Sequence, residues 1–171
     1  ITFANSAKIM KNKFWMKAML QHLGMIGVSW RGQRAENLAG FTLNEDTKRE
    51  QLLQFANELG LSEFAYIATC NRVELIFVRS GPQSREDLRP QVLGLLGGGK
   101  FDPQQARRIL NAWQGEGVAE RMFSVASGLD SASLGETEIV GQMRAAHDFA
   151  KELGSCGPLL DFLFTQSYAV A

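Results

Sequence analysis

The sequence predicts an α+β domain with a ferredoxin-like split βαβ core and additional helices. Apolar runs rich in β-branched and aromatic residues predict strands over Leu23–Trp30, Phe64–Thr69 and Val73–Arg79. Apolar residues at helical spacing predict the longest helix over Glu136–Leu153. Strand and helix patterns alternate along the chain without an internal repeat, and this interleaving is what favours the mixed class.

Capping signals predict two helices around the second and third strands. Asn44 can cap a helix whose first turn is acidic and which ends at Gly60. A second helix begins near Ser84–Asp87 and is perturbed by Pro90. The apolar face of the first helix consists of Leu52, Leu53, Phe55, Ala56 and Leu59.

The middle of the chain is less regular. Gly97–Lys100 predicts a loop, and Asp102 with Pro103 predicts the start of a short helix. Pattern alone leaves strand and helix equally open for Arg108–Trp113, whereas Val118–Ser127 favours a helix. Farther along, a glycine closes the long helix and a proline starts another.

Composition bounds the function classes. The 171 residues carry 18 basic and 18 acidic side chains, so the chain has no global field for nucleic acid, although a local patch can still bind RNA. No apolar run is long enough to span a bilayer. Two cysteines far apart in the sequence form neither a disulfide framework nor a metal-binding pattern, so we expect a cytoplasmic protein without a metal.

The stretch from Thr69 to Arg72, Thr-Cys-Asn-Arg, interrupts two apolar runs. A cysteine at the end of a rigid strand is well mounted for nucleophilic attack. Arg72 can lower the pKa of the Cys70 thiol or bind a carboxylate with two hydrogen bonds. The alternative is a small buried cysteine in a hairpin, with Arg72 at the surface.

A second polar cluster extends from Ser127 to Gln142, around three glycines. Helix capping explains Ser133 and Glu136 but neither Ser131 nor Gln142. Together, "TCNRVE" and "ASGLDSASLGETEIVGQ" resemble the N-terminal catalytic domain of the glutamyl-tRNA reductase family. The resemblance extends from about residue 24 to residue 171.

The resemblance implies a mechanism. In that family a cysteine attacks the aminoacyl ester of glutamyl-tRNA, and NADPH reduces the resulting thioester to glutamate-1-semialdehyde for tetrapyrrole (porphyrin) synthesis. Cys70 is then the nucleophile, and Thr69, Asn71 and Arg72 surround the bound glutamate. The resemblance assigns the rest of the substrate pocket to Ser131, Glu136, Thr137, Glu138 and Gln142.

The sequence departs from the family pattern in three places. Arg121 stands where a histidine is usual, Trp30 replaces another histidine, and Glu136-Thr137-Glu138 replaces Glu-Pro-Gln. The charge of Glu138 weakens glutamate binding unless Arg121 offsets it, which predicts that these two positions are coupled. The first rival to an enzyme is therefore a catalytically impaired binding or regulatory module. The second rival is a structural domain with an inert cysteine.

Cofactor and partners follow from the same resemblance. Gly94–Gly99 has neither the strand context nor the spacing of a dinucleotide fingerprint, so we expect no NADPH bound to this chain. We expect glutamyl-tRNA as partner, no membrane, and an aminomutase of the next step as a possible partner. The resemblance also implies an NADPH-binding domain and a homodimerisation domain beyond residue 171.

The domain boundaries are expectations of the same kind. Residues 1–21 are a basic extension or an expression remnant, residues 22–157 the catalytic domain, and residues 158–171 the start of a linker helix. The histidines offer little to the site: His22 follows the basic segment, and we expect His147 to be a packed or surface side chain of the long helix. Cys156 lies in a predicted loop between helices and is a weak redox candidate.

Overall fold

One antiparallel sheet organises the molecule. Within residues 18–32, 38–81, 86–130 and 138–171, which the computed structural model describes, four strands lie in the order β2-β3-β1-β4. The strands are β1 (Leu23–Ser29), β2 (Leu61–Thr69), β3 (Arg72–Arg79) and β4 (Asn111–Gln114). Because β3 inserts between β1 and β2, the first βαβ unit is split, and the predicted ferredoxin-like core is confirmed.

Helices cover the sheet on both faces. They are α1 (Lys48–Leu59), α2 (Arg89–Gly97), α3 (Ala106–Ile109), α4 (Glu116–Ala126), α5 (Glu138–Glu152) and α6 (Pro158–Ala169), with short 3-10 turns at Ala39–Phe41 and Pro103–Gln105. No helix in the described ranges is both long and apolar enough to cross a membrane.

The central strands are buried on both faces, which explains their nearly continuous apolar sequences. Alternate side chains enter two separate cores. One core packs Ile26, Tyr66 and Leu75 against α1 and α2. The other packs Met25, Ile67, Ala65, Ile76 and Val78 against α4, α5 and α6. The second group of helices is the predicted addition to the ferredoxin-like core.

Helix α1 begins later than the sequence suggests. Asn44 does not cap it: its side-chain oxygen accepts the N–H of Asp46, and its carbonyl accepts the N–H groups of Thr47 and Lys48. This turn ends before the helix starts at Lys48, because asparagine competes for nearby backbone donors. Leu53, predicted on the apolar face, is 41% exposed.

The ambiguous stretch Arg108–Trp113 divides between two elements. Helix α3 ends at Ile109, and β4 begins at Asn111 and pairs with Gly24–Gly27 of β1. Asp102 caps the preceding 3-10 turn as predicted, since its carboxylate accepts the N–H of Gln104. The predicted helix start at Ser84 lies outside the described residues.

Candidate active site at the β2–β3 turn

Cys70 lies in the tight turn that joins β2 to β3, and its side chain is exposed. The hydroxyl of Thr69 accepts the N–H groups of Asn71 at 3.1 Å and Arg72 at 3.2 Å. The carbonyl of Asn71 accepts the N–H of Trp30 at 2.9 Å. The turn is therefore fixed from within and from β1, and it presents the thiol to solvent.

Arg72 is buried directly behind this turn, with 1% of its side chain exposed. Its Nη2 donates to the carbonyl of Asp130 at 2.8 Å, and its Nη1 lies 3.3 Å from the Asp130 carboxylate. The alternative of a buried cysteine beside a surface arginine is wrong on both counts. A guanidinium in this position can be buried because charge and hydrogen bonds compensate it.

Arg121 of α4 joins the same network. It donates to Glu74 at 2.7 Å and forms a second ion pair with Asp130. Glu74 is 1% exposed and pairs across the sheet with Gly27, where a Cβ atom would come within 2.8 Å of the Glu74 Cγ. Burial lowers the pKa of Arg121, but the charges of Glu74 and Asp130 outweigh burial and raise it.

The network opens to solvent through two tryptophan–arginine pairs. The guanidinium of Arg31 lies 5.0 Å from the Trp30 ring centre and 2.7 Å from the Asp130 carboxylate. The guanidinium of Arg121 lies 4.8 Å from the ring centre of Trp113. Arg31, Trp113, Arg121 and Asp130 line a pocket of about 380 Å³ together with Glu120. The network and the pocket together hold three arginines (Arg31, Arg72 and Arg121) and three carboxylates (Glu74, Glu120 and Asp130), so their formal charges balance.

Comparison with known proteins identifies the family. The model of the glutamyl-tRNAGlu reductase N-terminal domain matches residues 26–171. This chain belongs to that family. A glutamyl-tRNA reductase of Desulfotalea psychrophila is 36% identical over 120 residues, which cover 70% of this chain and 28% of the relative. One of Solidesulfovibrio magneticus is 32% identical over 153 residues, which cover 90% and 33%.

The fold agrees with a solved glutamyl-tRNA reductase. The enzyme from Methanopyrus kandleri superposes on 87% of this chain and 33% of its own length, with a TM-score of 0.69 and 23% sequence identity. At this identity the likeness shows the fold. The chain thus spans about a third or less of the relatives it matches.

The structure brings together some of the residues that the family resemblance assigned. Thr69, Cys70, Asn71 and Arg72 share one turn, and Arg121 reaches Arg72 through Asp130. Glu138 is exposed at the first position of α5, and Gln142 is half-buried one turn later. Ser131, Glu136 and Thr137 lie outside the described residues. Among described side chains, Arg121 forms ion pairs with Glu74 and Asp130, and Glu138 is not a partner.

Sequence reasoning missed the two carboxylates that hold this candidate site together. The sequence pattern places Glu74 within a strand and assigns Asp130 no role. One signal was available, because a carboxylate inside an apolar strand such as Val73–Arg79 requires a cationic partner when both faces are buried. That signal does not identify the partner, which lies 47 residues away in the sequence.

Proposed function

We propose that this domain carries out the acyl-transfer step of glutamyl-tRNA reduction. The Cys70 thiolate attacks the carbonyl carbon of the aminoacyl ester and forms a C–S bond. The ester C–O bond breaks, and the terminal ribose hydroxyl of the tRNA leaves with a proton from solvent. The observation that carries this proposal is the exposed thiol on an anchored turn, in a domain of this family.

Charge supports glutamate as the acyl group. The guanidinium groups of Arg31, Arg72 and Arg121, the arginine cluster, can pair with a substrate carboxylate. An aminoacyl ester is already activated for attack once it is held in line. Arg72 can bind that carboxylate only by sharing its contacts with Asp130. Arg31 is 58% exposed and is the more accessible cation. The proposal also includes substrate binding by the remaining residues that the resemblance assigned: Thr69, Asn71, Ser131, Glu136, Thr137, Glu138 and Gln142.

The reductive half of the reaction does not fit the described residues. Gly94–Gly97 closes helix α2, and Gly98 follows in the left-handed conformation, so this glycine run joins no strand to a helix. A dinucleotide turn needs that strand-to-helix context. In this proposal, NADPH binding, homodimerisation and the aminomutase contact belong to the rest of a full-length protein.

An impaired binding module is the second candidate, and Arg121 favours it. Its raised pKa keeps the guanidinium charged, so it cannot act as a general base where the family usually has histidine. In that case the domain binds glutamyl-tRNA, a pathway partner or a regulator without forming a thioester. Arg121 would then serve to fix Glu74 and Asp130.

Intact mass after incubation with glutamyl-tRNA, without NADPH, separates the two candidates. The acyl-transfer proposal predicts a glutamyl adduct that hydroxylamine removes, absent in Cys70→Ser and present in Cys156→Ser. These variants are matched, because each removes one of the two thiols in the chain. Binding of glutamyl-tRNA without an adduct would contradict acyl transfer and support the binding module. Arg121→His is then the variant expected to restore the adduct.

A further inference from the structure

Three potential ligand atoms converge where α5 turns into α6. His147 comes from α5, Cys156 from the connecting turn and Asp161 from the first turn of α6. One ligand atom from each lies within 4.8 Å of the other two. The Nε2 of His147 and the carboxylate of Asp161 lie 3.0 Å apart.

Imidazole, thiolate and carboxylate form a donor set typical of zinc. Zn²⁺ binds such ligands at about 2.0 Å for nitrogen and oxygen and about 2.3 Å for sulfur. Tetrahedral bonds of those lengths separate the ligand atoms by about 3.3–3.5 Å. The three side chains therefore need to close by about 1.5 Å at most. The turn residue Cys156 and the half-exposed Asp161 can move.

The histidine is already oriented for this role. It is 4% exposed, and its ring stacks on Phe164 at a centroid distance of 4.6 Å. Its Nδ1 lies 3.2 Å from the hydroxyl of Tyr168, which also contacts the carbonyl of Met143. A hydrogen bond at Nδ1 is the usual support for a histidine that binds metal through Nε2.

We propose that His147, Cys156 and Asp161 form a binding site for a zinc-class metal ion, with solvent as the fourth ligand. The Cys156 thiol loses its proton to solvent when the ion binds. The ion links α5 to α6 across their connecting turn. The inference is independent of the proposed acyl transfer, because neither Cys70 nor the arginine cluster takes part.

The ammonium group of Lys151 competes with the ion for the Asp161 carboxylate. Its ammonium lies 2.9 Å from the Asp161 carboxylate, and both side chains are half-exposed. An ion pair at the surface is weak, so a divalent ion bound by three ligands can displace it. Removal of this charge by Lys151→Gln should tighten metal binding by up to about fivefold.

Titration of the metal-free protein with Co²⁺ provides the test. We expect a thiolate-to-cobalt charge-transfer band that saturates at one equivalent and disappears when Zn²⁺ is added. Cys70→Ser should keep the band and Cys156→Ser should lose it, so the two cysteines control for each other. Absence of the band in the wild-type protein would overturn the proposal, and so would its loss in Cys70→Ser or its survival in Cys156→Ser.

Two further variants guard against misfolding as an explanation. Asp161→Asn changes a half-exposed side chain and should weaken Co²⁺ binding by more than the roughly 10–100-fold typical of supporting residues. Tyr168→Phe removes the hydroxyl beside His147 and should weaken it by about tenfold. Zn²⁺ should raise the melting temperature of the wild-type protein but not of Cys156→Ser. Unchanged affinity in Asp161→Asn would contradict the site.

Discussion

The two cysteine-bearing turns give the same residue type different environments. Cys70 follows a strand and is exposed, whereas Cys156 lies between two helices and is half-buried. Burial raises the pKa of the Cys156 thiol to about 11. The comparison shows that burial in the surrounding turn, rather than the residue type, sets the two thiols apart.

Near each turn a buried carboxylate lies against a glycine. Near Cys70, Glu74 pairs with Arg121 and lies opposite Gly27. Near Cys156, Glu63 accepts the N–H groups of Leu159 at 3.3 Å and Leu160 at 2.8 Å, which caps α6. The first carboxylate neutralises guanidinium charge, and the second satisfies the free donors of a helix end.

Loss of the cation behind Cys70 should have the largest effect. Arg72→Ala leaves Asp130 with one partner fewer in a buried network. We therefore expect the free energy of unfolding to fall by about 3–5 kcal/mol. Urea unfolding followed by circular dichroism measures this change. Arg31→Ala is the matched control, since Arg31 also pairs with Asp130 but is mostly exposed, and its loss should cost less than about 1 kcal/mol. Equal costs would contradict a special role for the buried arginine.

Alkylation sharpens the contrast between the thiols. With a pKa of about 11, Cys156 has a thiolate fraction at pH 8 about 100-fold below that of a thiol with the reference pKa near 9. In chelator-treated Cys70→Ser, iodoacetamide labelling should therefore be slow. It should accelerate about tenfold per pH unit until the pH approaches 11. Cys156→Ser, which keeps the exposed Cys70, should label much faster at pH 8, and comparable rates there would refute the contrast.

Loss of the cap on α6 should have the smallest effect. Glu63→Gln keeps the shape of the side chain but removes the charge that faces the helix N-terminus. We therefore expect the free energy of unfolding to fall by about 1–2 kcal/mol. Amide hydrogen exchange at Leu159 and Leu160 should accelerate. The control variant Glu45→Gln removes an exposed partner of Lys48. It should change the free energy of unfolding by no more than about 0.5 kcal/mol. Unchanged exchange at both amides would contradict the capping role.

The sequence predicts the strands well because burial on both faces leaves a strong local signal. The local sequence alone predicts the strands at Phe64–Thr69 and Val73–Arg79. The polar break between them marks the Cys70 turn. The short strand β4 has no such signal: three of its four residues are exposed, and it is held by pairing with β1. Local pattern cannot reveal an element that tertiary pairing stabilises.

The candidate site was predictable only where neighbours in sequence are neighbours in space. Thr69, Asn71 and Arg72 adjoin Cys70, so their proximity follows from chain continuity. The Arg72–Asp130 contact joins residues 58 positions apart, and the cap on α6 joins residues 97 positions apart. Such pairs are fixed by how the helices pack on the sheet, which a single sequence does not encode in any local pattern.

The two glycines that accommodate the buried carboxylates differ in how a genetic selection would treat them. A Cβ at Gly27 would meet backbone atoms of Val73 and Glu74, whereas at Gly157 its nearest neighbours are all side-chain atoms of Glu63. A substitution at Gly157 can therefore acquire a second-site suppressor, such as a smaller residue at position 63. A substitution at Gly27 has no such route, because no exchange of side chains moves the strand beside it.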